Sequence, residues 1–477
     1  MDARGETHPE ATAEGRALAT FACLWASATV FHLASYDQWA LTPGHFALLV
    51  AAGGVLARPA APRRLLVLAA LQVFEVLVMS PQVSNHWLFT GFVNLTWIVV
   101  FVGSAVARRR WDAPAGELYR QFAPLARLEL LILYLFVVLH KLNWDFFDPE
   151  VSCGARFYFA QAERFGVLPR SPGLALACAW LTIVTEATIP LLLVFPRTRL
   201  GGVILGAVFH WLIGLNPISG FYNFSSMLLA VFVLFAPASF LAEALRRLGD
   251  ALAGRGARPF AGLSFAARGV LAAALTAGAL GLLGLLMMTY RGDRDFFVLL
   301  WGVYGGGLTF ALGAAAWRGR GRFVPEARAL APPRPALWAF PALVFLNGLS
   351  PYLGLKTETA FAMYSNLRTE GGRTNHLFIP TATQVFGFQR DVVEVLESSD
   401  PDLARLGERG EVLPWLAFRE LTSRRPRASV VFVRGGRVER ARRISARPEL
   451  ALSPPWWSRK LLPFRAVPKT GPQPCEH

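Results

Sequence analysis

A chain of 477 residues in which 54% are hydrophobic and only 17% charged departs from soluble domains, which carry about 25% charged residues. That balance argues against a water-soluble fold and for a multi-pass membrane protein. The net charge of +16 points to arginine-rich cytoplasmic loops rather than to a nucleic-acid partner, because the positive-inside bias produces the same excess.

Residues 1–14 are polar and acidic (Asp2, Glu6, Glu10, Glu14), unlike the basic leader of a signal peptide, and are predicted to form a cytoplasmic tail. Apolar segments then recur near 17–35, 46–57, 65–80, 87–107, 128–147, 174–195, 200–216, 221–241, 265–289, 296–317 and 336–355. They predict an all-α multi-pass membrane bundle over 15–355, with about 11 segments and a range of 9–12. The second is short and glycine-bearing, as a tilted or re-entrant piece would be.

Loop charge alternates along this series. Basic loops hold Arg58, Arg63 and Arg64; Arg108, Arg109, Arg110 and Arg120; Arg197 and Arg199; Arg246, Arg247, Arg255 and Arg258; and Arg318, Arg320, Arg322, Arg328 and Arg334. The loops between them are poor in Lys and Arg, or balance them with acids in 148–173 and 291–295. The alternation predicts a cytoplasmic N-terminus in the cell membrane, with Lys141 and everything after about Leu355 on the outer side. Within 148–173, Arg156 to Phe159 and Phe165-Gly166 suggest a short interfacial helix that ends at the glycine.

Residues 356–477 read as a small α+β extracytoplasmic appendage. Asp391 to Leu406 has helical spacing; Ser429 to Val433, a turn at Gly435-Gly436 and the run from Val438 read as a β-hairpin. A Pro- and Arg-rich tail follows, with Trp456-Trp457 expected to touch the membrane or the bundle. Neither a nucleotide-binding loop nor an internal repeat is evident. Of the four cysteines, Cys23 and Cys178 fall in apolar helices as inert core residues. Only Cys153 and Cys475 are placed to meet, and no Cys/His spacing supports a metal site.

Chemistry is concentrated in the stretch from Leu128 to Trp144, where an apolar helix ends in His140-Lys141. An ammonium there either snorkels to the interface or faces a polar cavity. Glu75, Glu186, His32 and His210 are the other ionisable groups in or near apolar segments. Glu186 lies four residues before Pro190, whose missing N–H frees a carbonyl; it suits a counter-ion or orienter, or a structural pair with an arginine. His210 precedes the turn Asn216-Pro217 and then Asn223 and Ser225, so one outer pocket can gather a lysine, an acid, a histidine, an amide and a hydroxyl. Desolvation there favours a neutral amine able to act as a base, and an acid partner opposes it.

Tyr134, His140-Lys141-Leu142 and Trp144 resemble the helix-terminal motif of the vitamin K-dependent gamma-carboxylase family and its bacterial relatives, the HTTM (horizontally transferred transmembrane) proteins. Glu186 to Arg199, Phe209-His210 with Asn223-Phe-Ser225, and Pro351 to Lys356 followed by Met363 to Asn366 are similar to further stretches of that family; together they cover roughly 15–376. The resemblance implies that Lys141 is a catalytic base acting on reduced vitamin K or another quinol. It makes His210 the group stabilising developing charge; Glu186 is the third catalytic candidate, and His140, Trp144, Asn223 and Ser225 are expected to bind the cofactor. The reaction implied is a carboxylation of an extracytoplasmic protein substrate, of carbon–carbon lyase type, with quinone epoxide as co-product; no metal is implied. In two respects the chain departs from the family: a much shorter C-terminal region, and His140 where animal members have a lysine. The alternative class is a non-enzymatic membrane transporter or lipid-binding scaffold. A haem-bearing quinone-linked subunit would want axial histidine pairs, and the histidines are too scattered.

Overall fold

A computed structural model describes residues 9–35, 42–166, 168–216, 220–241, 294–318, 329–332 and 334–475. Helices lie over each expected apolar segment except 265–289, which falls outside the described residues, as do Pro217 and the arginines between 246 and 258 and between 320 and 328. They are α1 (Pro9–Ala34), α2 (Pro43–Ala57), α3 (Pro62–Met79), α4 (Asn85–Arg108), α5 (Ala115–Lys141), α6 (Cys153–Phe165), α7 (Pro172–Val194), α8 (Arg199–Ile213), α9 (Phe221–Phe232), α10 (Arg294–Arg318) and α11 (Ala339–Leu353). Among the described residues, six are long and apolar enough to cross a membrane: α1, α4, α5, α7, α10 and the helix ending at Leu353. The helices α2, α8 and α9 are apolar but shorter, so the expected count of about eleven segments is not confirmed. The chain divides into two compact units: residues 1–75, 89–131 and 187–341, and residues 76–88, 132–186 and 342–477.

In the first unit α1 packs on α2 and α9, and α8 packs on α9 and α10. Close approach between helices needs small residues. A Cβ on Gly206 of α8 would stand 2.6 Å from the Phe232 ring, so only glycine lets α8 and α9 meet there. Buried polar groups are paired across helices: the Trp25 indole donates to Gln72 Oε1 (3.1 Å) and Asn94 Oδ1 (3.0 Å), and Gln72 Nε2 donates to Thr29 Oγ1 (2.8 Å). Several expected loop arginines prove to be helical: Arg63 and Arg64 lie in the first turn of α3, and Arg108 and Arg318 end α4 and α10. Arg120 lies within α5, which starts at Ala115 rather than near 128. Arg199 is buried at the start of α8, its Nε donating to the Leu193 carbonyl at 2.9 Å. The expected tail is also shorter, since α1 already begins at Pro9.

In the second unit a five-stranded antiparallel sheet has the order β4-β3-β1-β2-β5. Its strands are β1 (Val392–Ser398), β2 (Glu411–Pro414), β3 (Val430–Arg434), β4 (Arg437–Ala441) and β5 (Val467–Pro468). The predicted hairpin is present as β3–β4, with Val433 opposite Val438 and the turn at Gly435 (φ 55°) and Gly436 (φ 77°), the left-handed geometry that glycine adopts freely. The helical expectation for Asp391 to Leu406 is corrected. Val393 and Val395 alternate inward in β1, and the helix α12 (Pro401–Glu408) begins only at Pro401, where Asp400 accepts from the Asp402 and Leu403 amides. Two-residue periodicity and β-branching outweighed the helical spacing. The helices α13 (Trp415–Ser423), α14 (Pro448–Ala451) and α15 (Trp456–Leu461) complete the appendage, whose core holds Val393, Val395, Leu403, Phe418, Phe432 and Ile444.

The interfacial helix expected around 156–165 is α6, closed by Gly166 at φ 64°. Gly154 on α6 abuts α7: a Cβ there would stand 2.8 Å from that of Ala179. Cys153 and Cys475 form a disulfide across 322 residues, joining α6 to the end of the described chain, while Cys23 and Cys178 are free and only partly buried.

Candidate functional site

Between Leu130 and Leu139 α5 is apolar on nearly every face, then presents His140 and Lys141 in its last turn. Asn143 ends it. The Asn143 Nδ2 donates to the carbonyls of His140 (2.8 Å) and Ser365 (2.6 Å), and its Oδ1 accepts from the Phe146 amide at 2.9 Å. One side chain thus serves both the helix it closes and the 3-10 turn Trp144–Phe147 it opens. The expected continuation of the helix to 147 stops for this reason.

Lys141 does not snorkel into solvent. It is 6% exposed, and its Nζ donates to both oxygens of Glu186, at 2.7 and 2.6 Å. Two charges in such a place are tolerated because each neutralises the other and the ammonium donates to both carboxylate oxygens. Of the roles open to Glu186, counter-ion of Lys141 is the one found. Tyr134 lies two turns earlier on α5 and is buried.

His140 faces elsewhere. Its Nδ1 is 2.9 Å from the Tyr352 hydroxyl and its Nε2 is 3.0 Å from the Ala360 carbonyl. A carbonyl only accepts, so Nε2 carries the proton and Nδ1 accepts from Tyr352, the tautomer of a neutral imidazole. Both ring nitrogens are occupied, and their task is to hold a loop. Thr359 (φ 58°), Phe361 (φ 66°), Tyr364 (φ 54°) and Asn366 (φ 55°) are all left-handed, four non-glycine residues within eight positions. Each costs roughly 1–2 kcal/mol and persists only where surroundings over-determine it. Here the Phe361 amide donates to Asn85 Oδ1 (2.6 Å), Asn347 Nδ2 to the Thr359 carbonyl (2.9 Å), and the Cys153 amide to Asn366 Oδ1 (2.8 Å). The strained loop therefore lies against the residue next to Lys141. Trp144, by contrast, is 69% exposed.

His210 and Ser225 meet in the first unit, with Nδ1 3.3 Å from the Ser225 hydroxyl and the rings of Phe209, Phe224 and Phe232 around the imidazole. Asn223 turns to Ser35 instead, its Nδ2 donating at 2.6 Å. Glu75 is 3.4 Å from His45, and His32 is buried with its carbonyl accepting from Ser35. The seven expected site residues thus form two pairs, Lys141–Glu186 and His210–Ser225, that belong to different units, with His140 and Asn223 engaged apart from them and Trp144 exposed.

Several buried ionisable residues, Lys356, Arg127 and Glu129 among them, were not among the expected site residues. Lys356, just past α11, is 9% exposed and donates to Thr359 Oγ1 at 2.9 Å; burial pushes it down to about 8, against the pull of Glu358. Arg127 donates to the carbonyls of Leu234 (2.7 Å) and Ala329 (2.8 Å). Glu129 accepts from the Thr96 hydroxyl, and its other oxygen has no hydrogen-bond partner among the described residues. Glu129 stood in the key stretch of sequence, where a charge inside an apolar run was itself the signal. No family model, curated protein or solved structure matches the chain.

Proposed function

We propose that the chain is an integral membrane protein of HTTM type whose Lys141–Glu186 pair carries out proton transfer on a quinol or another lipid-like small molecule, in carboxylase-like or epoxidase-like chemistry. The observation that carries this reading is the closed ion pair itself, buried at the end of an apolar helix with Nζ within 2.7 Å of both carboxylate oxygens. Such a pair suits a weakly acidic hydroxyl: Glu186 takes up the proton, and the Lys141 ammonium stays beside the negative charge left on the donor. A reduced quinone, when bound, would supply that hydroxyl and the reducing equivalents. Lys141 then acts through its carboxylate partner, to both of whose oxygens it donates, rather than as the base itself. An extracytoplasmic protein as the carbon acid, and an outward-facing appendage with a cytoplasmic N-terminus, belong to the same proposal. The Cys153–Cys475 disulfide supports that orientation, since such bonds persist in oxidising compartments.

The test is oxygen-dependent epoxidation of a reduced naphthoquinone by the purified chain, beside the exchanged pair Lys141→Glu with Glu186→Lys. The exchange keeps the ion pair and moves the proton-accepting group. The expected result is turnover by the natural chain and a loss of about 10²-fold or more in the exchanged one. No turnover by a folded natural sample would end the reading. A non-enzymatic transporter or lipid-binding scaffold is favoured by one observation, that both oxygens of Glu186 and both nitrogens of His140 already have partners.

A further inference from the structure

Within the second unit lies a cavity of about 650 Å³ whose lining includes neither Lys141 nor Glu186. Its walls come from the turn 81–86 joining α3 to α4, from the left-handed loop at Thr359 and Tyr364, and from α13 and α15. Val83, Leu416 and Phe464 give it an apolar side; Arg424, Arg459 and Arg465 give it a cationic one. The three guanidinium groups are not equally engaged. Arg424 is held by Glu420 at 2.5 Å, and Arg465 leans on Glu358 at 3.5 Å while donating to the Leu367 carbonyl. The Arg459 side chain makes no hydrogen bond or ion pair among the described residues, and the Nε atoms of both Arg459 and Arg465 are buried without an acceptor. Buried N–H donors left unpaired are expensive, so their concentration at one cavity points to an absent acceptor.

The place of the cavity narrows what that acceptor is. Lys460 of α15 donates to the carbonyls of Leu77 and Val78 at 3.2 Å each, fastening α15 to the C-terminal end of α3. Leu77 and Val78 are exposed, and so are Trp456 and Leu461 on α15. An apolar helix end that continues into an exposed tryptophan and leucine is the arrangement found where a bilayer meets water. Arg459 and Lys460 stand beside it on the same short helix, as cations do near anionic lipid.

We propose that this cavity binds the phosphate headgroup of an anionic membrane lipid, Arg459 and Arg465 donating to the phosphoryl oxygens and the apolar stem lying along Val83, Leu416 and Phe464. A planar guanidinium matches phosphate geometry better than an ammonium does. The inference rests on the chain being embedded in a membrane and does not depend on chemistry at Lys141.

The experiment is a calorimetric titration of the full chain, in neutral detergent, with dihexanoyl phosphatidylglycerol and with dihexanoyl phosphatidylcholine. Saturable binding of the anionic lipid, about tenfold or more tighter than the zwitterionic one, is expected. Arg459→Gln should weaken it by about tenfold with an unchanged melting temperature, because that side chain has no protein partner to lose, and Arg459→Lys should restore only part. Equal binding of the two lipids, or natural affinity in Arg459→Gln, overturns the proposal. Displacement of the lipid by an equal concentration of inorganic phosphate overturns the lipid assignment, since the site would then read the free ion. The exchanged Lys141–Glu186 chain is expected to bind the lipid normally, so a failure of the quinol reading and a failure of this one are separately visible.

Discussion

Lys141 and Glu186 show how a single buried contact divides stability from function. Replacing Lys141 by Met leaves a carboxylate buried without its cation, a change that costs about 3–5 kcal/mol when one partner of a buried pair is removed. Replacing both by Met removes the two desolvation penalties together and is expected to return the melting temperature near the natural value; thermal unfolding in detergent, followed by size-exclusion profile, reads both variants. If the single substitution melts with the natural chain, the pair is open to water and not the closed contact described. Lys356 makes a pH-dependent prediction. Its folded value is about 8, whereas an unfolded lysine titrates near 10.4. Between these values the unfolded chain binds more protons, so the Lys356 contribution to stability rises with pH across that window and is at its lowest, and flat, below about pH 8. Lys356→Met should abolish that rise and stabilise the chain at neutral pH, by an amount on the order of 3 kcal/mol. A melting temperature with the same pH slope in both chains would show that Lys356 is solvated.

At the scale of elements, the pair is positioned by backbones that approach closely. Gly348 of α11 faces Phe136 of α5, and a Cβ built there would stand 2.1 Å from the ring. Gly348→Val therefore requires α5 or α11 to move and is expected to lower stability by about 1–3 kcal/mol and to weaken any activity of Lys141, five residues further along α5. Surface expression and melting of Gly348→Val against Gly103→Val, where nothing lies within 4 Å of the added carbon, measure this. Much at this scale was legible beforehand. The apolar segments gave helices, the glycine pair gave the β3–β4 turn, and Gly166 gave the end of α6. What misled was Asp391 to Leu406, where a strand and a helix share one run of residues and the alternation of Val393 and Val395 decides the first half. The loop 356–370 was legible only as polar and aromatic. Its left-handed turns depend on side chains of residues 85, 140 and 347 and on the backbone amide of residue 153, which no local pattern announces.

For the whole molecule, the disulfide is the strongest constraint on where the parts reside. Cys153 and Cys475 are separated by 322 residues, and closing so long a loop contributes on the order of 6 kcal/mol in the chain-entropy model. Paired Cys153→Ser and Cys475→Ser substitutions are expected to lower the melting temperature, and a reductant should do the same to the natural chain but not to the variant. If the orientation proposed above holds, the natural chain in intact cells carries this bond, and in Cys153→Ser a membrane-impermeant maleimide labels the freed Cys475 without lysis, beside the double variant as the control for Cys23 and Cys178. Labelling that needs prior lysis would place the appendage on the cytoplasmic side. Six spans among the described residues leave the number of crossings to be counted the same way, loop by loop.

By itself the sequence determined that the chain carries helices long and apolar enough to cross a membrane, roughly where most of them run, and which lysine sits at the end of the most apolar of them. Those properties are local: hydropathy, periodicity and glycine geometry act over a few turns of chain, and the two partner-capable cysteines could be recognised because the other two sat in apolar runs. Only tertiary structure decided the partners. Lys141 could have turned to water, yet meets a carboxylate 45 residues on; His140, its neighbour, turns to a hydroxyl and a carbonyl more than 200 residues away. Low dielectric makes each unpaired charge or donor costly, so the fold settles who pairs with whom, and that settlement is made by residues far apart in the chain.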